Sequence, residues 1–232
     1  MARHRPTKAR VEPVAAVSPQ MNWSDLQDLL QPWGLRAIGG MRPQHRTPAQ
    51  VIVPIAPEEP RFWKIFRDSP EFKDGLDHPM DRWSQRIIID IATKINAEAY
   101  FPFSGPPYYP FFDWVIATGR VHQSPIKLAV DHQAGLFVAF RGALGLSYDI
   151  DITPATEHPC HDCDAPCQTA CPISAFETGV YAADACTTHI TSTAGNECWQ
   201  GGCLARRSCP LTQQTQRSAE HAQFHLRAFV KR

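Results

Sequence analysis

The sequence predicts an α+β protein in two unequal parts: a mixed α/β domain, then a smaller cysteine-rich domain. Helical and strand periodicities alternate through the first two thirds of the chain, while all eight cysteines fall between Cys160 and Cys209. The 21 prolines among 232 residues exclude a long helical bundle or coiled coil. An apolar content of 43% is enough for a buried core.

Residues 1–20 carry Arg3, Arg5, Lys8 and Arg10 among prolines and small residues, and read as a basic flexible tail. The mixed α/β domain is expected over 21–154. Its first helix spans 22–31, with Ser24 as cap, Leu26, Leu29 and Leu30 at helical spacing, and Pro32 and Gly34 as stop signals. Residues 51–55, VIVPI, suit a strand, with Pro54 marking a sheet edge or the strand's end. A short helix is expected over 61–68 around Phe62, Trp63 and Phe66. The strongest helix signal covers 79–97. Asp77 is its expected cap and Pro79 lies in its first turn. Trp83, Ile87, Ile91 and Ile95 recur every four residues as a buried stripe, widened by Ile88. Tyr100 to Phe112 reads YFPFSGPPYYPFF, too proline-rich for a central strand but apolar enough to line a pocket or wrap a sheet edge. Two strands, 126–131 and 136–141, are expected around the turn HQAG, where Gly135 can take a positive φ.

Charge and motifs narrow the function classes. Lys plus Arg equals Asp plus Glu at 23 each, which disfavours a globally basic nucleic-acid binder. No apolar run is long enough for a membrane span, and the N-terminus has no secretory hydrophobic stretch. With no cysteine in the first 159 residues, a reducing, cytoplasmic setting is expected. From Gly142 to Gln200 there is no Lys or Arg, against eight carboxylates. Arg206, Arg207, Arg217, Arg227, Lys231 and Arg232 then reverse the sign, so a basic helix or tail is expected over 216–232. No dinucleotide fingerprint, P-loop, serine elbow or H-E-x-x-H helix is present, while flavin has no single obligatory motif.

The chemistry-bearing signal is the cysteine order. Cys160-x2-Cys163-x3-Cys167-x3-Cys171-Pro172 is followed by Cys186, Cys198, Cys203 and Cys209-Pro210. Eight thiolates can hold two [4Fe–4S] clusters, because soft sulfur ligands match the cluster irons and short spacers turn several of them to one centre. Two structural zinc sites would also use eight cysteines. Zinc ribbons pair cysteines two residues apart, a spacing only Cys160 and Cys163 have, whereas the cysteine–proline endings are typical of clusters.

Residues 160–210 resemble the two-cluster bacterial ferredoxin module, whose first half reads C-x2-C-x2-C-x3-C-P. One extra residue, within Asp164-Ala165-Pro166, and longer spacers in the second run separate this chain from that pattern. In the family, the fourth cysteine of each run ligates the other cluster. The resemblance therefore implies one cluster on Cys160, Cys163, Cys167 and Cys209, and a second on Cys171, Cys186, Cys198 and Cys203. The wide gap from Cys171 to Cys186, and Ser124-Pro125-Ile126-Lys127-Leu128 followed by Gly135-Leu136-Phe137-Val138, are similar to epoxyqueuosine reductase. That enzyme carries cobalamin on a nitroreductase-like domain. Val130-Asp131-His132, Gly135, Phe137, Arg141 and Gly142 also resemble the motif of the animal cobalamin-processing decyanase, with Asp131 at its histidine position and Phe137 at its tryptophan. Pro79-Met80-Asp81-Arg82-Trp83 opens a helix where that fold also has one.

The resemblance implies a reduced nitroreductase-like domain followed by a ferredoxin-like iron–sulfur domain over 155–215. It also implies a corrinoid, the cobalamin type of cofactor, near Tyr108, Asp131, His132, Phe137 and Arg141. The reductase's catalytic aspartate matches no position here. His158 and His161 flank Cys160 and are placed to hydrogen-bond a cluster sulfur. Gly201 and Gly202, after Trp199, would let backbone approach a cluster closely. The expected function is electron transfer, or the iron–sulfur component of a corrinoid-linked oxidoreductase. Electrons would pass from a redox partner protein to a corrinoid or another small molecule. The alternative is a non-catalytic structural or interaction subunit whose clusters stabilise its fold.

Overall fold

The computed structural model describes residues 21–44, 48–215 and 217–231, so the basic tail expected over 1–20 lies outside the described residues. The fold is mixed α and β, with several helices and two small sheets. Four antiparallel strands, β1 (Leu35–Ala37), β2 (Val51–Pro57), β3 (Glu98–Tyr100) and β6 (Gly142–Leu146), lie in the order β1-β2-β6-β3. A two-stranded ribbon pairs β4 (His122–Gln123) with β5 (Ala129–Val130).

The first helix, α1 (Trp23–Leu30), is capped by Asn22 rather than Ser24, which lies inside it. Asp25 N–H donates to Asn22 Oδ1 at 3.0 Å, and Asn22 N–H to Asp25 Oδ2 at 3.2 Å. The chain then turns at Gly34, with φ of 63°, where a Cβ would stand 2.7 Å from Phe62 Cα. Glycine is required there on both counts. All seven residues of β2 are buried. Pro54 is therefore in a central strand, not at an edge. Its carbonyl accepts from Ile38 N–H on the β1 side. The missing N–H faces the same side, in the gap between the end of β1 and the Met41–Ile52 bridge.

Helices α2 (Arg61–Asp68), α3 (Pro70–Lys73) and α4 (Pro79–Lys94) cover one face of the sheet. Phe62, Phe66, Trp83, Ile87, Ile88 and Ile91 are fully buried there. Each such side chain contributes about 1.5–3 kcal/mol of burial free energy. Asp77 does not cap α4: His78, in the left-handed region, precedes it without a side-chain bond, and Asp77 C=O accepts from Arg82 Nε. Ile95 is the C-terminal cap residue, so the helix ends shorter than its apolar repeat.

The strand expected over 136–141 does not form. Leu136 C=O accepts from Arg206 Nη1 at 2.8 Å and Phe137 C=O from Arg217 Nη2 at 3.2 Å, so these carbonyls are taken by side chains. The strand begins instead at Gly142 and reads GALGL, buried throughout and paired on both sides. Its small residues admit close neighbours. A Cβ on Gly142 would meet Ile88 Cδ1 at 2.7 Å, and one on Gly145 would meet Tyr100 Cε2 at 2.6 Å. Of 126–131, only Ala129–Val130 pairs as strand, while the turn at Gly135 has φ of 53° as expected. The proline-rich passage wraps the sheet edge: β3 is the outer strand, Tyr100, Phe101 and Phe111 are buried, and Tyr108 is 64% exposed.

Beyond α5 (Phe111–Ala117) lie the short helices α6 (Ala183–Ile190), α7 (Asn196–Gly201) and α8 (Leu204–Arg207). The last helix is α9 (Ala219–Val230), capped by Ser218. It packs back on the first part of the chain: His221 stacks on Trp63 with ring centroids 4.3 Å apart, and Phe224 lies 5.5 Å from Phe66. Among the described residues no helix is long and apolar enough to cross a membrane.

Candidate metal centre

The eight cysteines line two cavities, four to each, and all are free thiols. Cys160, Cys163, Cys167 and Cys209 surround a narrow cavity whose walls include Ser124, Pro125, Val130, Leu136, Pro166 and Pro210. Cys171, Cys186, Cys198 and Cys203 line a larger one of about 420 Å³. In each set one member comes from the far end of the other run.

Local backbone makes the first set possible. Ala165 takes φ of 50°, and its N–H donates to Cys163 Sγ at 3.4 Å. The left-handed turn absorbs the extra residue between Cys163 and Cys167 and starts the 3₁₀ turn that carries Cys167. Ser174, also with φ of 50°, precedes Ala175, whose N–H donates to Cys171 Sγ at 3.4 Å. Cys209 is brought in by packing. A Cβ on Gly135 would lie 2.8 Å from Thr212 N, so the turn and the Cys209–Thr212 segment touch backbone to backbone.

The second set rests on helices. Cys186 lies in α6, Cys198 in α7, and Cys203 caps α8. The crossing of α6 and α7 requires Gly195, where a Cβ would fall 2.0 Å from His189 O. Gly202 lines the cavity of the second set and Gly201 does not. Gly201 packs on the Arg207 guanidinium and Gly202 on Ala222 of α9. The Tyr181 hydroxyl pKa is raised, by burial first and then by the Cys186 thiol.

Burial pushes the Cys160 thiol up to about 11, with Cys163, Cys209 and Cys167 adding to the rise in that order. Cys167 shifts upward for the same first reason. Cys198 is also raised by burial, opposed by a backbone bond from Leu204, with Cys203, Cys186 and Cys171 adding. Such thiols resist ionisation until a positive centre joins them, so metal binding releases protons. Among the described residues, no three His, Cys, Asp or Glu side chains close tightly enough to hold a single metal ion.

Compared with protein-family models, curated proteins and solved structures, the chain matches none. The reading of the site rests on its own residues.

The five residues expected around a corrinoid are not gathered in one place. Tyr108 is exposed at the sheet edge. Asp131 is buried and ion-paired to Arg36, and its Oδ1 accepts from Ala134 N–H at 2.6 Å. His132 Nε2 lies 2.9 Å from Glu157 C=O on the surface. Only Phe137 and Arg141 share a cavity, the larger one beside the second thiol set. His158 does not face a sulfur: its Nδ1 accepts from Cys160 N–H at 3.1 Å and its Nε2 lies 3.1 Å from Gln123 C=O, tying the first cysteine to β4. His161 is exposed.

Three arginines escaped the sequence reading of this site. Arg206 is held by Leu136 C=O, while Arg217 lies 4.6 Å over the Phe137 ring and donates to Phe137 C=O. Burial lowers Arg217 to about 10, partly offset by Glu59, so it stays cationic at neutral pH. Burial also lowers Arg206 and Arg141. The third, Arg36, is the partner of Asp131. The surplus of arginine after residue 200 was visible in the sequence, but its inward direction was not.

Proposed function

We propose that this chain is an iron–sulfur electron-transfer protein, with a [4Fe–4S] cluster at each set of four thiols. The observation that carries the reading is the gathering of Cys160, Cys163, Cys167 with Cys209, and of Cys171 with Cys186, Cys198 and Cys203. The donor sets are entirely soft sulfur, which suits iron–sulfur clusters. The N–H groups of Ala165 and Ala175 aim at thiol sulfurs, and such bonds tune cluster potentials. When bound, two clusters would accept and pass on one electron at a time. The ferredoxin-like character of 155–215, and the nitroreductase-like character of 21–154, belong to the same proposal. So does a redox partner protein as donor. We assign the acceptor to the larger cavity, where Phe137 and Arg141 stand beside the second thiol set. Anaerobically purified protein should contain about eight iron and eight acid-labile sulfide per chain. Its paramagnetic signals should appear on reduction and vanish on reoxidation. Stoichiometric zinc without sulfide would overturn the reading. Clusters that never reduce would leave the structural-subunit alternative.

A further inference from the structure

Three arginines line the larger cavity together with its four thiols. Arg141 enters from just before β6, Arg206 from α8 and Arg217 from just before α9, and the ring of His225, whose charged form burial disfavours, also lines it. Among the described residues no carboxylate lines this cavity. Two of these arginines each have an acid at ion-pair distance, beyond hydrogen-bond reach. Asp81 Oδ1 is 3.7 Å from Arg141 Nη1, and Glu59 Oε1 is 3.7 Å from Arg217 Nη2. The Nε atoms of both arginines are buried without a partner, in side chains only 13% and 7% exposed. A buried donor left this way is costly unless a ligand meets it.

A cluster's negative charge is the first explanation to weigh. It suits Arg206, whose charged form the Cys203 thiol favours. Arg141 and Arg217 stand 3.7 Å from Asp81 and Glu59 instead. The remaining wall near them is apolar, with Phe137, Val138, Leu226 and Phe229.

We propose that this cavity binds a small organic anion, a carboxylate or phosphate ester with an apolar body, whose oxygens are held by Arg141 and Arg217. Guanidinium forks match the two oxygens of a carboxylate or phosphate, and a phenyl-sized body fits the apolar wall. The volume of about 420 Å³ is shared with the second thiol set, so the anion takes only the part lined by the arginines and the apolar residues. Phe137, stacked under Arg217, keeps that guanidinium oriented. The site adds a ligand to the electron-transfer reading but stands on different residues.

The test is calorimetric titration of the anaerobically purified protein with phenyl phosphate, benzoate and neutral phenol, with iron and sulfide assayed on the same sample. At least one of the two anions should bind with Kd below about 1 mM, and phenol should give no heat. Arg141→Ala and Arg217→Lys should each weaken binding at least tenfold. Arg42→Ala, at an exposed surface pair with Asp149, should leave it unchanged. Should Arg217→Lys not fold, judged by circular dichroism, Arg141→Ala decides alone. Normal iron content with no anion binding at millimolar concentration would overturn the site and leave the clusters standing. Binding unaffected by Arg141→Ala would overturn it too. Anion binding in a protein without iron would retain this site and remove the cluster reading.

Discussion

Asp131 offers the sharpest test of whether a residue singled out for a cofactor is structural. Its carboxylate is 4% exposed and paired with Arg36, itself 13% exposed. Its second oxygen caps the turn by accepting from Ala134 N–H. Asp131→Asn keeps an oxygen for Ala134 but leaves the Arg36 charge unmatched. Removing one member of a buried pair costs about 3–5 kcal/mol, and partial exposure of Arg36 puts this pair near the lower end. Asp131→Ala also loses the turn's hydrogen bond, adding about 1 kcal/mol. We therefore expect a loss of about 3 kcal/mol for Asn and about 4 kcal/mol for Ala, a large share of the usual 5–15 kcal/mol of a domain. Arg36→Met combined with Asp131→Asn removes both charges and should be more stable than Asp131→Asn alone. Urea unfolding under anaerobic conditions, followed by tryptophan fluorescence, measures all four proteins. A loss under 1 kcal/mol in Asp131→Asn, with hydroxocobalamin binding present in wild type and abolished in the variant, would refute the structural account.

Cys209→Ala should damage the cluster of Cys160, Cys163 and Cys167, and Cys171→Ala the other; paramagnetic spectra of the two variants would show the reverse if the grouping were wrong. Removing iron should melt 155–215 while the first sheet persists, because Ile190 is the one buried side chain larger than cysteine or threonine among the described residues there; hydrogen exchange that stayed protected in the apo-protein would contradict this. Gly145→Val should cost about 1–3 kcal/mol or more, read as a lowered melting temperature, since its Cβ would lie 2.6 Å from the Tyr100 ring. His221 is fully buried, and burial, opposed by Glu59, holds its pKa below the usual value; His225 is lowered further, again by burial first. The unfolded chain then binds more protons below about pH 6.5, so this contribution to stability is whole above that pH and is lost as pH falls. His225→Phe should flatten the dependence of the urea midpoint between pH 8 and pH 5.5.

What the sequence made legible follows from what each kind of residue signals locally. Trp83, Ile87, Ile88 and Ile91 announce α4 because a long apolar stripe at helical period has few other uses. The grouping of the cysteines into two cavities is legible because it follows their order and spacing along the chain. Strand β6 was missed for the opposite reason. GALGL carries no β-branched or aromatic residue, and Ile88 and Tyr100 fill the space side chains would occupy at Gly142 and Gly145, so the central strand looks like a loop. The run 136–141 looked like a strand, but the signal ignored Arg206 and Arg217, distant residues that take its carbonyls. The same two arginines explain why half of the larger cavity was invisible. Arg141, Arg206 and Arg217 come from three separated stretches, and what joins them is the return of α9 onto Trp63 and Phe66. That return gives the C-terminal helix its role. With Gly135 pressed on Thr212, it fixes the cysteine-rich segment against the sheet, so the second thiol set and the three arginines line one cavity. A cluster seated on those thiols would stand beside whatever Arg141 and Arg217 hold, and electron transfer requires that proximity.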